Sequence, residues 1–164
     1  MNMNEARKLL IFGGIALAAF GMFYGLYYAV FVEHQSLDQI GGSLTATFAH
    51  AAERNWEGSE SALVSYKQAK YNYVRQVDVH SHWIGLAMLM IVLGVAFGSL
   101  HLGERVQWWL AATMLTGSVV FPLGVILQTV HHGVFLGSAL AVAGSALVTM
   151  ALAGMAWGFA RTSS

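Results

Sequence analysis

Five of the seven histidines lie at the ends of long apolar segments, where together they could act as ligands of a transition metal. These residues are His34, His80, His82, His131 and His132. Imidazole nitrogens bind haem iron, copper and zinc, and an ionisable side chain near a membrane-spanning segment is a functional candidate by default. If the apolar segments cross a bilayer in turn, all five histidines lie at the same face. The sequence therefore predicts a metal or haem site at that face.

Four apolar segments are almost free of formal charge, and each is close to the ~20 residues that cross the hydrocarbon core of a bilayer. They cover residues 9–32, 83–100, 108–130 and 134–160. The chain is 57% hydrophobic and 10% charged, with a mean hydropathy of +0.59. A soluble domain carries about 25% charged residues. The pattern predicts an all-α integral membrane four-helix bundle, formed by residues 1–164 as one domain.

The first apolar segment has the features of a membrane anchor that is retained. Its apolar run exceeds the about 7–15 residues found in the core of a secretory signal peptide. No small-x-small cleavage site lies directly before Glu33. We therefore expect it to remain as the first of four spans.

Residues 35–79 lie between the first two spans, and their pattern predicts an external helical hairpin. Ser36 and Gln39 have the spacing of an N-terminal capping box, and apolar residues follow at helical intervals. A turn is expected at Asn55-Trp56-Glu57-Gly58. A second apolar stripe then leads towards the span at 83–100, so the second hairpin helix could continue into that span without a break.

The basic residues predict how the chain is oriented in its membrane. The termini and the loop between the second and third spans carry a basic excess, from Arg7, Lys8, Arg105 and Arg161 against Glu5 and Glu104. Residues 33–78 carry four basic and six acidic side chains. Because cytoplasmic loops are enriched in Lys and Arg, both termini are expected in the cytoplasm and the hairpin outside. The predicted location is the bacterial inner (cytoplasmic) membrane.

Small residues recur along the spans at spacings that suit close helix packing. Examples are Gly14 with Gly21 in the first span and Gly137 with Gly144 in the fourth. The alternative is that these glycines leave room for a flat macrocycle. Pro122 is expected to kink the third span, because proline frees a backbone carbonyl one turn earlier.

Helix geometry limits which histidines can act together. Residues two positions apart on a helix point about 200° away from one another, so His80 and His82 cannot both face one metal unless the helix begins between them. His131 and His132 differ by about 100°, so one of them is expected to face inward. Of this pair we favour His132, because it shares a helix face with the polar Gln128.

The sequence HSHWIGLAM at residues 80–88 resembles the start of the second transmembrane helix of the catalytic subunits of haem-copper oxidases and nitric oxide reductases, and of short four-helix relatives of them. In that superfamily the second histidine of the motif is an axial ligand of a low-spin b- or a-type haem near the outer face. The resemblance covers residues 75–100 and implies this role for His82. The Asn that commonly follows the ligand is Ile84 here. The chain has no room for the superfamily's further helices and copper-site histidines, so oxygen or nitric oxide reduction is not implied.

The residues and the resemblance together predict a b-type cytochrome-like membrane protein, active in electron transfer or haem sensing. Haem b would be held by His82 and one of His131 or His132. A copper or zinc site is the alternative, with His34, one histidine from each pair and Glu33 as ligands or outer groups. Without cysteine, thiolate ligands and c-type haem attachment are excluded.

Other functions have less support in the sequence. A cofactor-free accessory subunit of a respiratory or oxygenase complex is a further alternative. An independent enzyme is least favoured, because no nucleophile–base pair, P-loop or dinucleotide-binding motif is present. The expected partners are the lipid bilayer, a redox partner or larger membrane complex, and further copies of the chain. Nucleic acid is not expected, because the net charge is zero and the basic residues are scattered.

The orientation can be tested with a reporter that is active only outside the cytoplasm. We expect activity when it is inserted near Gly58 and none when it is fused after Ser164, because the positive-inside pattern places these sites on opposite faces. Reporter activity in the fused and not in the inserted protein would reverse the orientation and move the histidine site to the other face.

Overall fold

The computed structural model describes residues 4–130 and 135–161 and is all-α over this part of the chain, as predicted. Its helices are α1 (Glu5–Phe31), α2 (Glu33–Ala52), α3 (Trp56–Ala96), α4 (Glu104–Val130) and α5 (Phe135–Ala160). A single 3₁₀ turn, Phe97–Ser99, follows α3.

Four of these helices, α1, α3, α4 and α5, are long and apolar enough to cross a membrane. In each, an 18-residue window has a mean hydropathy between 1.8 and 2.1. Only 22% to 39% of each window is buried within the chain, so most of the apolar side chains face outward. An apolar surface of this extent is typical of a multi-pass membrane protein, in which it contacts the hydrocarbon core of the bilayer.

Helix α3 joins the predicted hairpin to the second predicted span. It runs for 41 residues without a break. At about 1.5 Å per residue its length is about 61 Å, roughly twice the ~30 Å hydrocarbon core. The sequence pattern allowed this continuity, because no proline or turn motif separates residues 63–77 from the span at 83–100.

The contacts divide the chain into two compact units. The membrane unit comprises Met1–Met22 and Val79–Ser164, and the hairpin unit comprises Phe23–Asp78. Helices α1 and α3 each contribute to both units.

In the membrane unit, α1 and α3 run antiparallel with their backbones in close contact. A Cβ atom added to Gly14 would lie 2.9 Å from the carbonyl oxygen of Ala87, and one added to Gly94 would lie 2.6 Å from the Ile11 side chain. Met90 is fully buried beside Gly13. These glycines let the two backbones approach, and the space they leave is filled by protein.

Helices α4 and α5 approach one another even more closely. A Cβ atom on Gly124 would overlap the backbone nitrogen of Ala141, and one on Gly117 would lie 2.8 Å from the carbonyl oxygen of Gly144. Gly144 in turn has no room for a side chain beside the backbone of Phe121. The expectation of close helix packing at small residues therefore holds here. The macrocycle alternative does not apply at these positions, because backbone atoms occupy the space.

The junction of α1 and α2 differs from the sequence prediction. Helix α2 begins at Glu33, and Val32 alone separates it from α1. The predicted capping box at Ser36 and Gln39 is wrong, because the Ser36 hydroxyl donates a hydrogen bond to the carbonyl oxygen of Val32 at 3.1 Å. The backbone N–H groups of Val32 and Ser36 donate to the carbonyl oxygens of Tyr28 and Val32. Helical hydrogen bonds therefore continue across the junction, and no side chain caps α2 there.

The turn between α2 and α3 lies slightly earlier than predicted. It comprises residues 53–55, and α3 begins at Trp56. Arg54 takes a left-handed conformation with φ of 57°, and the Asn55 side-chain oxygen accepts a hydrogen bond from the backbone N–H of Gly58 at 3.0 Å. Asn55 thereby caps α3, and the residues expected in the turn form its first turn of helix.

The α4–α5 contact predicts that Gly124→Ala destabilises the protein. The added methyl group must displace the α5 backbone, and overpacking of this kind costs about 1–3 kcal/mol of unfolding free energy. Gly98→Ala is the matched control, since no atom lies within 4 Å of the position of its new methyl group. Both are measured by thermal and denaturant unfolding of purified protein in detergent. Equal stability of the two variants would contradict the packing role of Gly124.

Candidate functional site

His80 and His82 lie inside α3, within the membrane unit. The helix is continuous through both residues and does not begin between them. Their side chains therefore leave it in different directions, and they cannot both bind one metal. Nδ1 of His80 lies 2.9 Å from the carbonyl oxygen of Gly21 on α1. A carbonyl oxygen can only accept, so the imidazole donates from Nδ1. His80 is thereby oriented towards α1.

His82 points towards α4. Its ring meets the ring of Phe121 edge to face, with centroids 4.8 Å apart and an interplanar angle of 85°. The side chain is exposed on the surface of the chain. Gly85 lies one turn later on the same side of α3, and no atom lies within 4 Å of where its Cβ would be. An imidazole therefore stands beside an open stretch of helix surface inside an apolar span.

The contact with Phe121 also fixes the depth of His82. Phe121 precedes Val130, the last residue of α4, by nine positions. This corresponds to about 13.5 Å along the helix axis at about 1.5 Å per residue. His82 thus lies inside the bundle, whereas the sequence predicted that it lies level with the end of α4. His131 and His132 lie outside the described residues.

Gln128 was the reason for favouring His132, and it has another explanation in the structure. Its amide nitrogen donates to the hydroxyl oxygen of Ser138 on α5 at 3.5 Å. Gly137 packs against Gln128 as well. A polar side chain at this position therefore serves the α4–α5 contact, so it does not distinguish between the two histidines.

His34 and Glu33 belong to the first turn of α2, in the hairpin unit. His34 is exposed. Glu33 accepts a hydrogen bond from the hydroxyl of Tyr73 at 3.4 Å. Among residues 4–130 and 135–161, no three His, Asp or Glu side chains come together as a metal site. The copper or zinc arrangement therefore gains no support from this part of the chain.

An apolar groove of about 370 Å³ lies between α1, α3 and α4 in the membrane unit. Its lining consists of Gly13, Ala16, Leu17, Phe20, Trp83, Leu115, Val119 and Leu123. Trp83, directly after His82, is almost fully buried and meets Phe20 edge to face at 4.8 Å. This groove was not predicted from the sequence, although Leu115, Val119 and Leu123 follow one another at intervals of four residues on α4. Phe121 was also missed, because nothing in the sequence pairs it with His82.

No family model, curated protein or solved structure matches this chain. The resemblance of HSHWIGLAM to the haem-copper superfamily therefore stays a prediction. The function must be argued from the residues themselves.

Proposed function

We propose that this is a membrane b-type haem protein in which His82 is an axial ligand of the iron. Its role is electron transfer or haem sensing. The observation that carries the proposal is the orientation of His82, away from α1 and beside the open helix surface at Gly85. In this proposal the protein lies in the bacterial inner membrane, with both termini in the cytoplasm and the α2–α3 hairpin outside.

The surroundings of His82 fit a haem. An ionisable side chain within an apolar span is a functional candidate by default. The open surface at Gly85 would let a flat macrocycle approach the α3 backbone, and the ring of Phe121 offers an apolar edge beside the imidazole. Bound haem would supply one-electron chemistry, while the protein supplies position and an apolar surrounding. Electron transfer would then require a redox partner or a larger membrane complex.

A low-spin haem requires a second iron ligand besides His82. Our candidates are His131 and His132, either of which would supply a second imidazole and make a bound haem six-coordinate and low-spin. The spin state of the iron is therefore the most informative measurement, because a single imidazole ligand leaves a haem five-coordinate and high-spin.

The first prediction of this proposal concerns the cofactor. We expect full-length protein purified from haem-replete cells to bind haem b and to show, after reduction with dithionite, the sharp α and β bands of a low-spin haem. A colourless preparation containing stoichiometric copper or zinc would instead establish the metal-site alternative. A colourless preparation without metal would favour a cofactor-free accessory subunit.

The second prediction separates the ligand from its neighbour. His82→Ala should abolish haem binding, whereas His80→Ala should retain most of it and lose only the bond to Gly21, at a cost of about 1 kcal/mol of stability. His101→Ala is the control, because His101 lies outside the helices and is exposed. Haem content per protein is measured by pyridine haemochrome assay. Haem loss in His80→Ala with retention in His82→Ala would assign the ligand to His80, whose Nδ1–H bond to a carbonyl is a pattern common in metal-bound histidines.

The third prediction identifies the second ligand. If His132 completes the iron coordination, His132→Ala should convert the spectrum from low-spin to high-spin and His131→Ala should not. The opposite result would assign His131. Low-spin spectra in both single variants and in the double variant would remove the pair from the site and leave His82 with a different second ligand.

A further inference from the structure

A basic groove lies on the part of α3 that belongs to the hairpin unit. It has a volume of about 470 Å³. Apart from Val74, the residues that line it are Tyr66, Lys67, Lys70, Tyr71, Arg75 and Asp78. Three of these are cations and one is an acid, so the lining is positively charged. This contrasts with the net acidic charge of residues 33–78 as a whole.

Tyrosine rings lie beside two of the three cations. The ammonium nitrogen of Lys70 lies 5.8 Å from the centre of the Tyr66 ring, and the guanidinium carbon of Arg75 lies 5.2 Å from the centre of the Tyr71 ring. Both distances fall within the range of cation–π interactions. These contacts hold the side chains against the helix, so the positive charges are arranged along one side of α3.

The contacts between α1 and α3 within the hairpin unit show the depth of this groove. The rings of Tyr28 and Tyr73 lie 6.4 Å apart, and the Tyr73 hydroxyl donates to Glu33. Tyr73 is therefore level with the end of the first apolar segment, which stops at Val32. Exposed apolar side chains, including Phe31 at 63%, line α1 up to this level.

The cations follow within a short distance of that level. Lys70 and Lys67 precede Tyr73 by three and six residues, which corresponds to about 4.5 and 9 Å along the helix. Arg75 lies two residues on the other side. The polar layer of a bilayer is about 5–7.5 Å thick on each face. Lys70 falls within this layer if α1 crosses the hydrocarbon core, and the long side chains of Lys67 and Arg75 can extend their charged ends towards it.

We propose that this groove binds the phosphate of an anionic phospholipid headgroup through Lys67, Lys70 and Arg75. Charge and depth both favour this ligand, since the three cations face the layer in which lipid phosphates lie. Tyr66 and Tyr71 suit the boundary between hydrocarbon and water, where aromatic side chains with a polar tip are enriched. The proposal requires membrane insertion but no haem, and so it stands independently of the role of His82.

The test is native mass spectrometry of the full-length protein in detergent, titrated with dioleoyl phosphatidylglycerol or with dioleoyl phosphatidylcholine. We expect tighter binding of phosphatidylglycerol. The substitutions Lys67→Gln, Lys70→Gln and Arg75→Gln should each weaken it about fivefold, and together by about two orders of magnitude, on the basis of ~1 kcal/mol per basic residue. Phosphatidylcholine affinity should stay nearly constant. Arg54→Gln is the matched control, because Arg54 lies in the α2–α3 turn and outside the groove.

Several results would overturn the proposal. These are equal affinity for the two lipids, an unchanged preference in the triple variant, or an equal loss in Arg54→Gln, which would indicate a general charge effect. Displacement of phosphatidylglycerol by millimolar inorganic phosphate would favour a site for free anions. Lys67 and Lys70 are exposed and Arg75 is half-exposed, so the folded state should persist, as circular dichroism of each variant can verify. The single variants keep the test decisive if the triple variant fails to fold.

Discussion

Close backbone contact between helices is the constraint on which the rest of this structure depends. Helices that already lie in hydrocarbon gain little from burying more apolar surface, so they associate through packing and through bonds between polar groups. Here α4 meets α5 at Gly117 and Gly124, and α1 meets α3 at Gly14 and Gly94. Each of these contacts fixes the rotation of a helix about its axis. The rotation of α3 in turn directs His80 to α1 and His82 to α4.

Polar side chains in the membrane unit complete this arrangement by binding backbone carbonyls. His80 bonds the Gly21 carbonyl midway along α1. At the other end of the unit, the amide nitrogen of Gln107 donates to the carbonyl oxygens of Leu100 and Leu102 at 3.1 and 2.9 Å, and its oxygen accepts from Asn4 at 2.8 Å. Where water is scarce, polar groups need hydrogen-bond partners, and each such bond contributes about 1 kcal/mol of net stability. These bonds therefore anchor the loop after α3 and the start of α1.

Helix α3 connects the two proposed sites of the protein. Its second half carries the imidazole of His82 inside an apolar span, and its first half carries the basic groove of Lys67, Lys70 and Arg75. The groove belongs to the hairpin unit and His82 to the membrane unit, so each site is built from the contacts of its own unit.

The sequence alone determined that this chain is helical and that four segments are apolar enough to cross a membrane, because hydropathy and helical periodicity are local properties. It also identified α3 as a helix that could pass from the hairpin into the span. It misplaced the capping of α2 at Ser36 and the turn before Trp56, since competing backbone and side-chain hydrogen bonds decide these boundaries. It also predicted that the side chains of His80 and His82 point in different directions. Only the tertiary structure decided that His80 contacts α1 and His82 contacts α4. The depth of His82, level with Phe121, follows from the axial offset between α3 and α4, and that offset is set by packing contacts which the sequence does not encode locally.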